Sequence, residues 1–148
     1  MTGQGPAPLT ARLGYLMKHA QARLTEASAQ ALAPFGLDGR ELAVLAVLAA
    51  ERPLSQLEAA GRLGVDRTTM VALVDTLERK GLVERRRSEQ DRRRNTVQLT
   101  GHGRDCLAGA ERAREELERR FLAPLPEADA AAFLRALRVL ATGSACQD

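Results

Sequence analysis

At 148 residues, 45% of them hydrophobic, the chain has material for one domain with a sizeable core. Aromatics at 3% leave almost nothing for the stacking platforms of single-stranded nucleic-acid binders, two cysteines do not make a secreted disulfide scaffold, and no apolar run approaches the roughly 18 residues of a membrane span. The net charge is a modest +3, yet arginines crowd positions 85–87 and 92–94, and such a local patch points to nucleic acid more directly than the global balance. No signal peptide is visible, and a cytoplasmic location is expected.

Residues 1–8, MTGQGPAP, read as a flexible N-terminus. From about Leu9 to Ala33 the pattern is helical, with Leu13, Leu16, Met17, Ala20, Leu24, Ala27 and Ala31 on one stripe. Tyr15 and His19 form an i, i+4 pair beside that stripe. Pro34 and Gly36 end the helix, and Asp38-Gly39-Arg40-Glu41 caps the next. That helix carries Leu42, Val44, Leu45, Val47 and Leu48, is apolar nearly all round, and should be central. Pro53 separates it from the next helical segment.

The stretch from Ser55 to Thr100 organises the rest. Ser55-Gln56-Leu57-Glu58 is a capping box, Gly64-Val65 breaks the helical pattern, and Asp66 is a good N-cap for a second helix. In that helix Met70, Leu73, Val74 and Leu77 fall at i, i+3, i+4 and i+7, one buried stripe. Arg67, Thr68, Thr69, Val71, Ala72, Asp75 and Thr76 are left on the other faces. Arg79 and Lys80 suit a helix C-terminus, and Gly81 sits where a left-handed C′ glycine would end it. Leu82 to Arg87 and Asn95 to Leu99 read as strands around the polar tip of residues 88–94. This is the pattern of a winged helix-turn-helix.

After the wing, Thr100 caps a long helix to about Leu122, with Leu107, Ala110, Leu117 and Phe121 on its inner side. Pro124 and Pro126 break it, and a last helix from about Glu127 to Ala141 carries Phe133, Leu134, Leu137 and Leu140. The end helices need a partner surface, because one small monomer offers little to cover their stripes.

The run VDRTTMVALVDTLERKGLVERRRSEQDRRRNTVQLTGHGR resembles the DNA-binding core of the MarR family of bacterial transcriptional regulators. Leu77 to Arg85, the wing motif Asp91-Arg92-Arg93, and Leu99-Thr100 carry the likeness, and flanking helices of matching order extend it over nearly the whole chain. The resemblance implies a mainly α fold with a small β-hairpin wing. Residues 9–36 and 101–148 would form a helical dimerisation region, and 37–100 the winged helix-turn-helix core. It further implies a homodimer through its N- and C-terminal helices on a pseudo-palindromic operator in double-stranded DNA, and a repressor relieved by a phenolic or carboxylate effector. No enzyme, cofactor, metal or membrane partner is expected: there is no phosphate-cradling glycine loop, catalytic triad or ligand cluster.

In that setting the helix from Asp66 to Lys80 would enter the major groove N-terminus first. Arg67 is the candidate for a bidentate contact to guanine, Thr68 and Thr69 for base or phosphate, and Ser55 and Gln56 for phosphate. Thr76 joins this surface, and Thr68 and Thr69 also read more simply as helix starters. Positions 71 and 72 are often polar or basic in the family; here Val71 and Ala72 suggest contact with thymine methyls. Arg93 resembles the family arginine that reaches into the minor groove, aimed by Asp91. Arg85, Arg86, Arg87, Arg92 and Arg94 would add phosphate attraction, although strand alternation prevents all of 85–87 from facing one way.

Sensing is thinner. Tyr15 and His19, with Arg12 nearby, could bond a phenol or carboxylate; interface packing by Tyr15 and a satisfied or exposed His19 is the preferred reading. A regulator without an effector, thiol sensing through Cys106 in the first turns of its helix, and a winged protein-interaction module remain alternatives. For Cys106, a small residue filling a packing site is favoured.

Overall fold

The computed structural model describes residues 5–50, 52–91 and 95–143. Six helices occur in chain order: α1 (Leu13–Leu32), α2 (Gly39–Leu48), α3 (Gln56–Leu63), α4 (Arg67–Arg79), α5 (Gly101–Leu122) and α6 (Glu127–Thr142). Three strands, β1 (Leu54–Ser55), β2 (Val83–Arg87) and β3 (Asn95–Leu99), form an antiparallel sheet in the order β1-β3-β2. The fold is mainly α with a small β-hairpin wing, as the sequence implies. The chain divides into two compact units, Met1–Arg114 and Glu115–Asp148, with the boundary inside α5.

The first unit holds the main core. α2 lies at its centre, as its near-uniform apolarity requires: Leu42, Val44, Leu45 and Leu48 are buried beside Leu32, Leu54, Met70, Val74, Leu77, Val83 and Val97. α4 contributes Met70, Val74 and Leu77 fully, and Leu73 packs against the same cluster half-buried. The caps form as the side chains dictate. Asp38 accepts from the Glu41 N–H at 2.8 Å, Ser55 and Glu58 close a reciprocal capping box, and Asp66 accepts from the Thr69 N–H at 2.7 Å.

Several boundaries differ from the sequence expectation. The helix expected from Leu9 starts at Leu13; residues 9–11 make a separate 3₁₀ turn, and Arg12 between them is extended, with its Nε directed to the Ala7 carbonyl. β2 starts at Val83 rather than Leu82, because the Leu82 N–H closes the end of α4 on the Leu77 carbonyl while the Gly81 N–H bonds Glu78. That closure needs the left-handed φ of +74° at Gly81, which only glycine adopts without penalty. β1 has no counterpart in the sequence expectation: two residues are too few to show alternation, and only the pairing of Leu54 with Val97 and Ser55 with Thr96 makes them a strand. Of the expected flexible N-terminus, residues 1–4 lie outside the described residues.

α5 begins at a crowded junction. Thr100 Oγ1 donates to the Gly81 carbonyl at 2.6 Å and accepts from the Gly103 N–H at 2.9 Å, so one hydroxyl joins the end of α4 to the start of α5. Gly103 then lies against Leu82: a Cβ there would sit 1.9 Å from the Leu82 carbonyl oxygen. Gly109 lies similarly against the Phe35 ring, at 2.6 Å from an added Cβ.

In the same unit α1 leaves Leu13, Leu16 and Met17 exposed. In the second unit α6 does likewise with Phe133, Leu134, Leu137 and Leu140, so these members of the periodic stripes found in the sequence are exposed. Because carbonyl backbone cannot yield as a flexible side chain does, Gly103→Ala should destabilise the protein by about 2–3 kcal/mol or more, read as a lower midpoint in a thermal or urea melt, whereas Gly101→Ala, with open space at its Cβ, should not.

Candidate nucleic-acid interface

α4 is held at both ends, and its solvent face is defined by what remains. The Asp66 carboxylate takes both the N–H and the hydroxyl of Thr69, and these two bonds hold its pKa below the usual aspartate value. The cap is therefore complete above that range and is released as pH falls through the lowered native pKa. Thr69, a candidate reader, spends its hydroxyl on this cap. Thr76 donates to the Ala72 carbonyl at 3.0 Å and accepts from Arg79 at 3.2 Å. Arg67 and Thr68 are exposed, and their side chains make no hydrogen bond or ion pair among the described residues. Together with Val71, Ala72 and Asp75 they line a shallow depression along the outer side of the helix.

Arg85 fastens the wing to the helix-turn-helix. Its Nη1 donates to Glu78 at 2.8 Å, and its Nη2 reaches Asp75 at 2.5 Å and Gln56 at 3.1 Å, drawing α3, α4 and β2 together. Its backbone N–H bonds Glu78 as well, and its side chain is only 25% exposed. Expected as a phosphate-attracting cation, Arg85 is instead neutralised by two carboxylates that the fold places against it. Gln56 accepts this bond with its amide oxygen, and Ser55 uses its hydroxyl to accept from Glu58. The tie between Gln56 and Arg85 leaves no local pattern, since the two are 29 positions apart.

The hairpin runs in register from Val83 opposite Leu99 to Arg87 opposite Asn95. Alternation separates the arginines as anticipated. Arg85 turns to α4, Arg86 pairs with Glu84 at 2.8 Å on an exposed side, and Arg87 is exposed at the strand end. Ser88 Oγ accepts from the N–H groups of Gln90 and Asp91, shaping the entry to the tip. Asp91 is exposed. Arg92, Arg93 and Arg94 lie outside the described residues, as does the proposed pairing of Arg93 with Asp91.

At the base of α4, Lys80 donates to the Gly36 carbonyl at 2.6 Å and to Glu41 at 2.7 Å. Glu41 is 7% exposed, the one charged residue in the core of the described chain. The sequence offered Lys80 only as a suitable helix-end cation; the fold makes it the partner of a buried carboxylate 39 positions away.

A model of the MarR family matches residues 35–94, the segment containing this arrangement. The chain is 36% identical over 97 residues to the transcriptional regulatory protein assigned to the hcr operon of Thauera aromatica, a match covering 66% of the chain and 58% of that relative, so the chain spans little more than half the relative's length. The structure is similar to that of the transcriptional repressor CouR bound to a 23-mer DNA duplex, at 35% identity and a TM-score of 0.84, covering 95% of this chain and 99% of that one. The chain belongs to the MarR family. It is similar too, at 26% identity and a TM-score of 0.80, to CouR from Rhodococcus jostii RHA1 bound to p-coumaroyl-CoA, with 96% and 100% of the two chains covered. Membership places the chain among transcriptional regulators rather than enzymes, and no described helix is long and apolar enough to cross a membrane.

In this MarR-family chain the sensing candidates separate. Tyr15 and His19 stack, with ring centroids 3.9 Å apart, and His19 Nδ1 lies 2.8 Å from the Tyr15 carbonyl. A carbonyl only accepts, so that bond places the proton on Nδ1. Arg12 directs its Nε to the Ala7 carbonyl. Cys106 Sγ sits 3.7 Å from the Phe35 carbonyl, and burial raises its pKa above the ordinary thiol value, with Lys80 opposing weakly. The helix start does not prevail over desolvation here, and a raised pKa means less thiolate at neutral pH, the wrong direction for a reactive sensor. Cys146 lies outside the described residues. Among the described residues no cluster of three or more His, Cys, Asp or Glu could hold a metal.

Arg85→Gln should lower stability by about 1–2 kcal/mol in a thermal melt, since it leaves Asp75 and Glu78 as neighbouring like charges; neutralising both carboxylates in addition should recover part of the loss. In a Cys146→Ser chain, iodoacetamide should alkylate Cys106 at pH 7.5 far more slowly in the folded than in the urea-unfolded protein, followed by mass spectrometry.

Proposed function

We propose that this MarR-family chain is a cytoplasmic, homodimeric, sequence-specific repressor of transcription, with α4 in the major groove of double-stranded operator DNA and the wing on the flanking minor groove. One observation carries the reading. The arginine and threonine at the N-terminal turn of α4, Arg67 and Thr68, are the side chains of that helix face left unengaged, pointed outward where base edges would lie. The other polar groups nearby serve the fold: Thr69 the cap, Asp75 and Glu78 the wing anchor. Arg67 then reads guanine, Ser55 and the free amide hydrogens of Gln56 take phosphates, and Arg87 with Arg92, Arg93 and Arg94 supplies the wing contact. Arg93 enters the minor groove. The duplex-bound CouR structure supports this docking by similarity.

Dimerisation uses the uncovered stripes. Leu13, Leu16 and Met17 of α1 and Phe133, Leu134, Leu137 and Leu140 of α6 close against a second copy, so residues 9–36 and 101–148 act as the dimerisation region and 37–100 as the reading core. Two copies present two α4 helices to half-sites about one helical turn apart on a pseudo-palindrome. A phenolic or carboxylate effector relieves repression, by analogy with the p-coumaroyl-CoA complex of the Rhodococcus protein. Tyr15 and His19 are the candidate contacts on α1, with Arg12 as an outlying third.

Sedimentation should give twice the 16.0 kDa chain mass. In gel shifts on duplexes selected by the protein itself, Arg67→Ala should weaken binding by about 1–3 kcal/mol and relax one guanine position. Arg93→Ala should weaken binding across sequences and flatten the salt dependence with little change in melting temperature. Undiminished binding by either variant counts against the corresponding contact.

A further inference from the structure

The outward face of α4 changes character along its length. Its first turn presents Arg67 and Thr68, with five guanidinium donors and a hydroxyl. One turn further, on the same face, stand Val71, half-buried, and Ala72, exposed. Beyond that first turn, the depression these four side chains line with Asp75 has one polar side chain, Asp75 itself. Asp75 is held by Arg85, and the Thr76 hydroxyl both donates to the Ala72 carbonyl and accepts from Arg79. The surface therefore runs from strongly polar to hydrocarbon within about 6 Å of helix rise.

The four bases respond differently to such a surface. Thymine alone presents an apolar group in the major groove, its C5 methyl; the amino groups of adenine and cytosine there would face carbon with no acceptor to replace water. We infer that Val71 and Ala72 are specificity-determining residues that select thymine through its methyl group, next to the base that Arg67 reads. This rests on α4 being the major-groove helix, and it adds that half of the reading is apolar. Asp75 stands one turn further along with its Oδ1 engaged by Arg85, beyond the apolar step that Val71 and Ala72 make.

The test removes the methyl and nothing else. Duplexes retained by the full-length protein from a randomised library are resynthesised with deoxyuridine replacing each thymine in turn, which keeps base pairing and the O4 acceptor. One or two thymines per half-site should lose about fourfold in affinity on substitution, the factor for one buried carbon. At those positions 5-methylcytosine should bind better than cytosine. In Val71→Ala, checked for an unchanged circular-dichroism melt, the deoxyuridine effect should shrink at one of those positions, a coupling that altered DNA flexibility would not produce. Ala72→Ser should do the same at the other. Sequence-selective binding that ignores deoxyuridine everywhere overturns the inference and leaves the DNA-binding reading standing. A deoxyuridine effect of the same size in both variants also overturns it, by assigning the methyl to another side chain. Failure to retain any duplex overturns both.

Discussion

The Arg85 guanidinium is the point at which the helix-turn-helix and the wing become one object. It bonds Asp75 and Glu78 on α4 and Gln56 on α3 while belonging to β2, so its position fixes the hairpin relative to the helix that carries Arg67. Three-quarters of its side chain is withdrawn from water, where ion pairs are screened less than at a surface and geometry matters more. Without it, two carboxylates would face outward on the very side of α4 proposed to approach phosphates.

A second constraint closes the same helix from below. Gly81 turns the chain out of α4 in a left-handed conformation, Thr100 bonds its carbonyl, and Gly103 brings α5 against Leu82 at a distance that excludes a β-carbon. Lys80, one residue earlier, is tied to Glu41 and Gly36. Both ends of α4 are therefore set by groups that cannot move independently: the Asp66 cap at the start and this junction at the finish. Held in this way, its outer face presents a fixed set of side chains, and its chemistry reduces to Arg67 and Thr68 followed by Val71 and Ala72.

Much of this architecture is legible in the sequence because the signals are local. A serine three residues before a glutamate, an aspartate before a helix, and a glycine after Arg79-Lys80 act on their own backbone neighbours, and Ser55, Asp66 and Gly81 behave as expected. The stripe of Met70, Val74 and Leu77 comes from periodicity alone. Periodicity also places the start of the first helix four residues too early, because the apolar rhythm continues through a 3₁₀ turn that only backbone hydrogen bonds distinguish. β1 is invisible in the sequence because two residues have no period. The inward-facing glycines of α5 are equally silent, since an absent side chain leaves no mark in a hydrophobic pattern.

By itself the sequence determined the order of the six helices and the two hairpin strands, their caps, the core stripes and the concentration of arginine around the wing, because each depends on spacing within a few residues. Only the tertiary structure decided which polar groups are available. Arg85, Thr69, Asp75 and Lys80 look as free as Arg67 in the linear chain, and they become engaged when partners lie within hydrogen-bonding distance, most of them from other elements. Availability for a ligand is what remains after the fold has satisfied its own donors and acceptors, and long-range contacts do most of that satisfying.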